Sequence, residues 1–177
     1  VILETLCDVI SPPDTPYDTG ETEAWHEIEG KIGRALPSDY KAYIHRFGTG
    51  CIGKFVWVFN PFTGNANLNL LHQITVQLDV LHTLEEQFDV ACPYPLYPQP
   101  GGLLPWGITD NGDVLFWQTT GNPDQWNTVI HESRGPEYEE HPGGVVTFLT
   151  DLILGNIEST IIPFELIDQQ APFVPAK

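Results

Sequence analysis

Pro105-Trp106-Gly107-Ile108-Thr109-Asp110-Asn111-Gly112-Asp113-Val114-Leu115-Phe116-Trp117 sets two short apolar runs either side of an Asp-Asn-Gly-Asp turn. Asn111-Gly112 suits a type I′ turn, in which both central residues need positive φ; glycine meets that freely and asparagine tolerably. A two-residue turn fixes the register of its strands, so Trp106 and Ile108 belong on one arm and Leu115 and Trp117 on the other. A hairpin of this kind predicts the central antiparallel sheet of a small α+β domain.

Working outward, the segment before the hairpin, Cys92 to Gly102, holds Pro93, Pro95, Pro98 and Pro100 and is expected to be an extended loop, because each proline removes a backbone donor. Asn67 to Phe88 is the longest predicted helix, with Leu70, Leu71, Ile74, Leu78, Leu81, Leu84 and Phe88 on one apolar face. Cys51 to Phe59 reads as a strand that Asn60-Pro61 ends. Upstream, a helix begins near Thr22 and carries Trp25, Ile28 and Ile32 at helical spacing. After Pro37, Ser38 offers a new N-cap for a second helix with Tyr40, Tyr43, Ile44 and Phe47, and Gly48 stops it.

Residues 11–20 contain three prolines and read as an irregular lead-in. Beyond the hairpin, Gly121-Asn122-Pro123-Asp124 is a turn, Trp126 to Glu132 a further strand, and Val145 to Leu154 a terminal helix that Gly155 ends. The tail after Pro163 reads as irregular. The expected fold is therefore one α+β domain over residues 1–177, with a core at about 22–155 and an antiparallel sheet of about five or six strands packed by helices.

The 177 residues are enough to bury roughly 70% of the surface the unfolded chain would expose. No apolar run approaches the ~20 residues of a membrane span, and no basic-then-apolar leader opens the chain. Without a methionine, residue 1 is not expected to be a translation start, so an N-terminal piece is expected to be missing. Cys7, Cys51 and Cys92 offer neither a disulfide framework nor a metal-binding pair. Free thiols point to a reducing compartment, and the expected location is cytoplasmic.

Charge is the second strong signal. Twenty-four acids face seven Lys and Arg, a formal net of −17. Residues 1–30 hold no basic residue, and none lies between Lys54 and Arg134; Lys31, Arg34, Lys41, Arg46 and Lys54 share one short window. Such a field repels nucleic acid and anionic membranes and attracts basic proteins. The plainer reading of the same acids is solubility, or adaptation to a salty or acidic cytoplasm.

Three blocks, taken in order, resemble the SUKH superfamily of Smi/Knr-like proteins. The first is Trp25-x-x-Ile28-Glu29 with Leu36-Pro37-Ser38-Asp39-Tyr40 and Phe47-Gly48. The second is Pro105 to Asp113 with Trp117, and the third is Gly121-Asn122-Pro123-Asp124 leading to Trp126. The resemblance implies a single α+β domain, no catalytic activity, no cofactor and a role in binding. Many bacterial members are immunity proteins that block a toxin domain, often a nuclease. Others are eukaryotic regulators or viral proteins, which makes a regulatory or scaffolding module the alternative. The motif residues are mostly fold-makers and carry no binding site across.

The residues themselves point the same way. The six histidines form no His-x-x-x-His pair, and His72 and His82 are ten apart on the long helix, too far for one metal ion. Asp110-Asn111-Gly112-Asp113 lacks the alternating ligands and distant Glu of a calcium loop, so the expected metal set is none. No nucleophile elbow or phosphate loop is present. Glu29, amid apolar helix positions, reads as a buried acid of raised pKa, tied to a backbone amide at the Leu36-Pro37 step. Trp106, Trp117 and Trp126 read as core.

What remains is the acidic surface. Asp110, Asp113 and Asp124 on sheet turns, and Glu137, Glu139 and Glu140 in one run, are the candidate partner-binding residues, with an exposed Tyr138 as aromatic anchor. On one face they would present carboxylates to the phosphate-binding Lys and Arg of a basic toxin domain. Matched fields of that kind raise association to about 10⁸–10⁹ M⁻¹s⁻¹ at low salt.

Overall fold

The Pro105–Trp117 stretch does form a hairpin, between β3 (Leu103–Thr109) and β4 (Val114–Gln118). Its turn differs from the type I′ expectation. Thr109 accepts from the Gly112 N–H and itself donates to the Asp113 carbonyl, both at 2.9 Å, and within the loop only Gly112 takes positive φ, +91°. Three residues therefore lie inside the Thr109–Asp113 pair that closes the loop: a tight turn on Asp110 and Asn111, then a left-handed glycine. Asn111 is spared the left-handed region because the loop is one residue longer than the sequence signal suggests.

The computed structural model describes residues 2–170 and 173–176. Around the hairpin, β1 (Gly50–Ile52), β2 (Val56–Val58), β5 (Asn127–His131), β6 (Tyr138–His141) and β7 (Phe173–Pro175) complete a seven-stranded sheet, ordered β6-β5-β4-β3-β2-β1-β7. Every pairing is antiparallel. The sheet is α+β as expected, and slightly wider than five or six strands for three reasons. The run from Cys51 to Phe59 breaks into two strands around Gly53 (φ +57°) and Lys54 (φ +52°). The acidic Tyr138–His141 pairs with β5, and a piece of the tail pairs with β1.

The helices are α1 (Ile2–Val9), α2 (Thr22–Ile32), α3 (Ser38–Phe47), α4 (Leu70–Phe88) and α5 (Val145–Leu154). The first was not anticipated, although Leu3, Leu6 and Ile10 have helical spacing; Leu6 and Ile10 are fully buried and α1 packs on α5. α2 starts at Thr22 as expected, Ser38 is the first helical residue of α3 rather than its cap, and Asn69 caps α4 by accepting from the His72 N–H at 3.2 Å.

Both sheet faces are apolar, which explains why the central strands read as continuous hydrophobic runs. Leu104, Trp106, Leu115, Trp117 and Ile130 face the layer of α1, α2, α3 and α5 and join the main core. Leu103, Val114, Phe116 and Val129 point the other way, onto Leu81 of α4 and Leu96 of the proline-rich loop. A β-bulge between Pro105 and Gly107 lets Trp106 keep to the main core while Ile108, two residues on, reaches the second face. Trp106, Trp117 and Trp126 are all buried, and burial of side chains this size contributes roughly 1.5–3 kcal/mol each. Phe88 departs from expectation: it is the last residue of α4 and is exposed.

Candidate functional site

Much of the acidity is structural. Glu29 accepts from the Leu36 N–H and from Lys41 Nζ, both at 2.8 Å, as its place beside the Leu-Pro step suggests. Its pKa runs opposite to expectation: burial pushes it up, but the amide and the ammonium outweigh that and hold it below the ordinary range. Asp39 accepts from the Val146 N–H at 3.0 Å and so caps α5, whose own N-cap, Gly144, has no side chain to offer. Burial raises the Asp39 pKa despite its amide partners.

The candidate binding residues divide in the same manner. Asp113 is only 3% exposed; it accepts from Thr109 Oγ1 at 2.8 Å and from the Ser133 N–H at 2.9 Å, bracing the hairpin against the β5–β6 turn. That removes it from any contact surface. Asp124 is exposed, but accepts from the Ser38 N–H at 2.6 Å and caps α3, which lacks a side-chain cap of its own. The Ser38 hydrogen bonds hold its pKa down. Replacing Asp124 with alanine is expected to cost about 1 kcal/mol, as for a lost N-cap, read as a lowered urea midpoint at unchanged slope. An unmoved midpoint would mean water serves that amide equally well.

Glu139 points to the helical side of the sheet, half-buried, and accepts from Ser159 Oγ and from the N–H and hydroxyl of Thr160. It fastens the segment after α5 to the sheet edge. Burial would raise its pKa, but these donors lower it. Asp110 is exposed and accepts from the Trp57 indole N–H at 2.8 Å. Tyr138 is half-buried rather than exposed, its ring stacked on His131 with centroids 4.3 Å apart. Asp110 and Asp113 sit at one end of β4 and Asp124 beyond the other, so the three do not form one face.

Glu140 remains exposed on β6, where it accepts from Asn127 Nδ2 at 3.0 Å, and Glu137 is exposed just before that strand. Tyr138 lies 5.8 Å from Tyr94, ring to ring, which places the segment following α4 against β6. That segment and the last turn of α4 expose Glu85, Glu86, Asp89, Val90 and Phe88, the last 65% accessible. An exposed aromatic side chain thus shares the end of α4 with three exposed carboxylates.

A signal for it existed. The last turn of α4 carries Glu85 and Glu86 and no basic residue, although a helix C-terminus favours cations. The fold gains nothing from that placement. Phe88 continues the spacing of three and four, and was read as core for that reason.

Among the described residues, no group of three or more His, Cys, Asp or Glu side chains is placed to hold a metal ion, and no helix is long and apolar enough to cross a membrane. The three cysteines are free. A two-faced antiparallel sheet, the Leu-Pro step braced by Glu29 and the tryptophan-lined hairpin define an α+β domain of the Smi/Knr-like kind. The family model SUKH_6, described as SMI1-KNR4 cell-wall, matches residues 22–148, most of the chain, and the chain belongs to that family. The match runs from the first residue of α2 into α5, leaving out α1 and β7. No curated protein and no solved structure matches the chain.

Proposed function

We propose that this chain is an immunity-type binding protein of the cytoplasm that neutralises a basic toxin domain by stoichiometric occlusion, using no reactive group of its own. The observation that carries the reading is the end of α4, where exposed Phe88 stands in one stretch with the exposed acids Glu85, Glu86 and Asp89. No Lys or Arg lies between residues 54 and 134, so no cation of this stretch dilutes the field. Family membership supports a binding role, and the charge selects a basic partner. The carboxylates steer and the aromatic ring anchors, within an interface of roughly 1,600 Å² in total.

The test is titration against a toxin domain encoded beside this gene. Activity should fall to zero at one equivalent, and the association rate should drop at least tenfold between about 20 mM and 200 mM sodium chloride, because steering is screened. Residual activity at excess, or a rate indifferent to salt, would overturn the reading. The family description, which names the cell wall, favours the alternative of a regulatory or scaffolding module. That reading predicts several weak partners in a pull-down instead of one dominant basic protein.

A further inference from the structure

A cavity of about 500 Å³ opens on the α4 side of the sheet, between β2, β3, the first turns of α4 and the loop that precedes that helix. Its volume falls in the range of small-molecule sites. Val76 in its wall is separated from Phe88 by roughly 18 Å of helix, at about 1.5 Å per residue. The cavity is therefore distinct from the end of α4 and independent of the partner reading.

Carbon forms much of its surface. Trp57 alternates with Val56 and Val58, which join the main core, so its side chain turns to the opposite face. There it is half-buried and packs into neither core. Its indole N–H is donated to Asp110 at 2.8 Å, so the ring brings carbon to the cavity. Ile108, its partner across β3, extends the apolar wall together with Leu68 and Val76.

The polar side chains of the lining are all carboxamides: Asn65, Asn67 and Gln73, with no ionisable group among the lining residues of a chain whose net charge is −17. Gln73 is buried; its Nε2 donates to the Ala66 carbonyl at 3.1 Å and its Oε1 accepts from Gln77 Nε2 at 2.9 Å. Those two bonds fix the amide and leave it one N–H and one lone pair. Asn65 Oδ1 accepts from the Asn67 N–H at 3.0 Å. Among the described residues, Asn65 Nδ2 and the Asn67 side chain make no hydrogen bond. The loop that carries them is tied to itself, since Asn69 Nδ2 donates to the carbonyls of Pro61 and Thr63, and Asn60 pairs through its backbone with Leu68 and Leu70. A wall held in this way loses little freedom when a ligand binds.

We propose that this cavity binds an uncharged sugar, its ring against Trp57 and its hydroxyls paired with the carboxamides of Asn65, Asn67 and Gln73. A pyranose offers a C–H face to the indole, and its hydroxyls both donate and accept, as carboxamides do. A charged ligand would find no counter-ion in the lining, and an anion would meet the Asp110 carboxylate beside Trp57.

The test adds cellobiose and, separately, N,N′-diacetylchitobiose to the full chain labelled with nitrogen-15, and follows its five indole N–H signals. Sorbitol, a polyol without a ring face, and adenosine, a planar aromatic, are the controls. At least one disaccharide should move the Trp57 signal saturably in the millimolar range, and farther than the other four. Asn67→Ala, at an exposed position, should weaken binding about fivefold, the size of one lost hydrogen bond, with unchanged spectral dispersion. Val76→Phe, which fills the cavity, should abolish the saturable shift. Silence toward both disaccharides, shifts matched by sorbitol, tighter binding of adenosine, or undiminished binding by Asn67→Ala would each overturn the proposal.

Discussion

Replacing Phe88 with alanine is expected to weaken the complex with a neutralised toxin domain about 30-fold, the size of an aromatic hot spot worth ~2 kcal/mol. Phe88 is mostly solvent-accessible at the last position of α4, so the same substitution should leave the thermal midpoint within about one degree of wild type. The pairing of a large binding loss with intact stability is what separates an anchor from a core residue. Glu85→Lys with Glu86→Lys should instead act on encounter, lowering the association rate and flattening its salt dependence, with little change in dissociation. Surface plasmon resonance at two salt concentrations reads both effects. A Phe88→Ala variant that binds like wild type would remove the face from consideration, whatever toxin is used.

The second large effect concerns stability. Glu139→Ala strips the acceptor from Ser159 Oγ, the Thr160 N–H and hydroxyl, and the Ile161 N–H, at 2.5 to 3.3 Å. Hydrogen bonds to an ionised group contribute roughly 1.5–3 kcal/mol, and these act as one set, so a loss of about 2–3 kcal/mol is expected in urea unfolding. Glu139→Gln, which keeps an acceptor but not the charge, should lose about half of that. Amide hydrogen exchange over residues 159–162 should accelerate with the global change. Unaltered stability of the alanine variant would return Glu139 to the set of residues available for binding.

The same carboxylates set the response to acid. Glu29, Asp124 and Glu139 all titrate lower in the folded chain than in the unfolded one. The stability they supply is therefore fully present above the ordinary carboxylate range and is lost as pH falls through their folded values. Asp39 runs the other way, since burial raises its pKa. Glu27, beside Lys31, is lowered as well, so with four against one the urea midpoint should fall steadily below about pH 4.5, and Glu139→Gln should make that limb shallower.

Local chemistry made much of the fold readable. The spacing of Trp25, Ile28 and Ile32, the Leu36-Pro37 break with Gly48 as stop, and the apolar arms of the hairpin all mark elements that form where the pattern places them. Even the tie between Glu29 and the Leu-Pro step was legible, because an acid amid apolar positions must find a nearby donor. The seventh strand was not, because Phe173–Pro175 has no periodicity of its own and becomes a strand only when β1 offers an edge. Tyr138–His141 reads as a charged run, and pairing with β5 makes it a strand.

The candidate site divides along the same line. Sequence alone determined that the molecule is strongly acidic, that most of its basic residues cluster in one window, and that Trp106, Trp117 and Trp126 serve the core, because net charge and hydrophobic patterning do not depend on how the chain turns. Only the tertiary structure decided which carboxylates face outward. Asp39, Asp113, Asp124 and Glu139 accept backbone amides from residues far along the chain, whereas the acids around Phe88 are left exposed. A carboxylate in sequence carries its charge but not its partner, and the partner is supplied by packing across distances that no local pattern encodes.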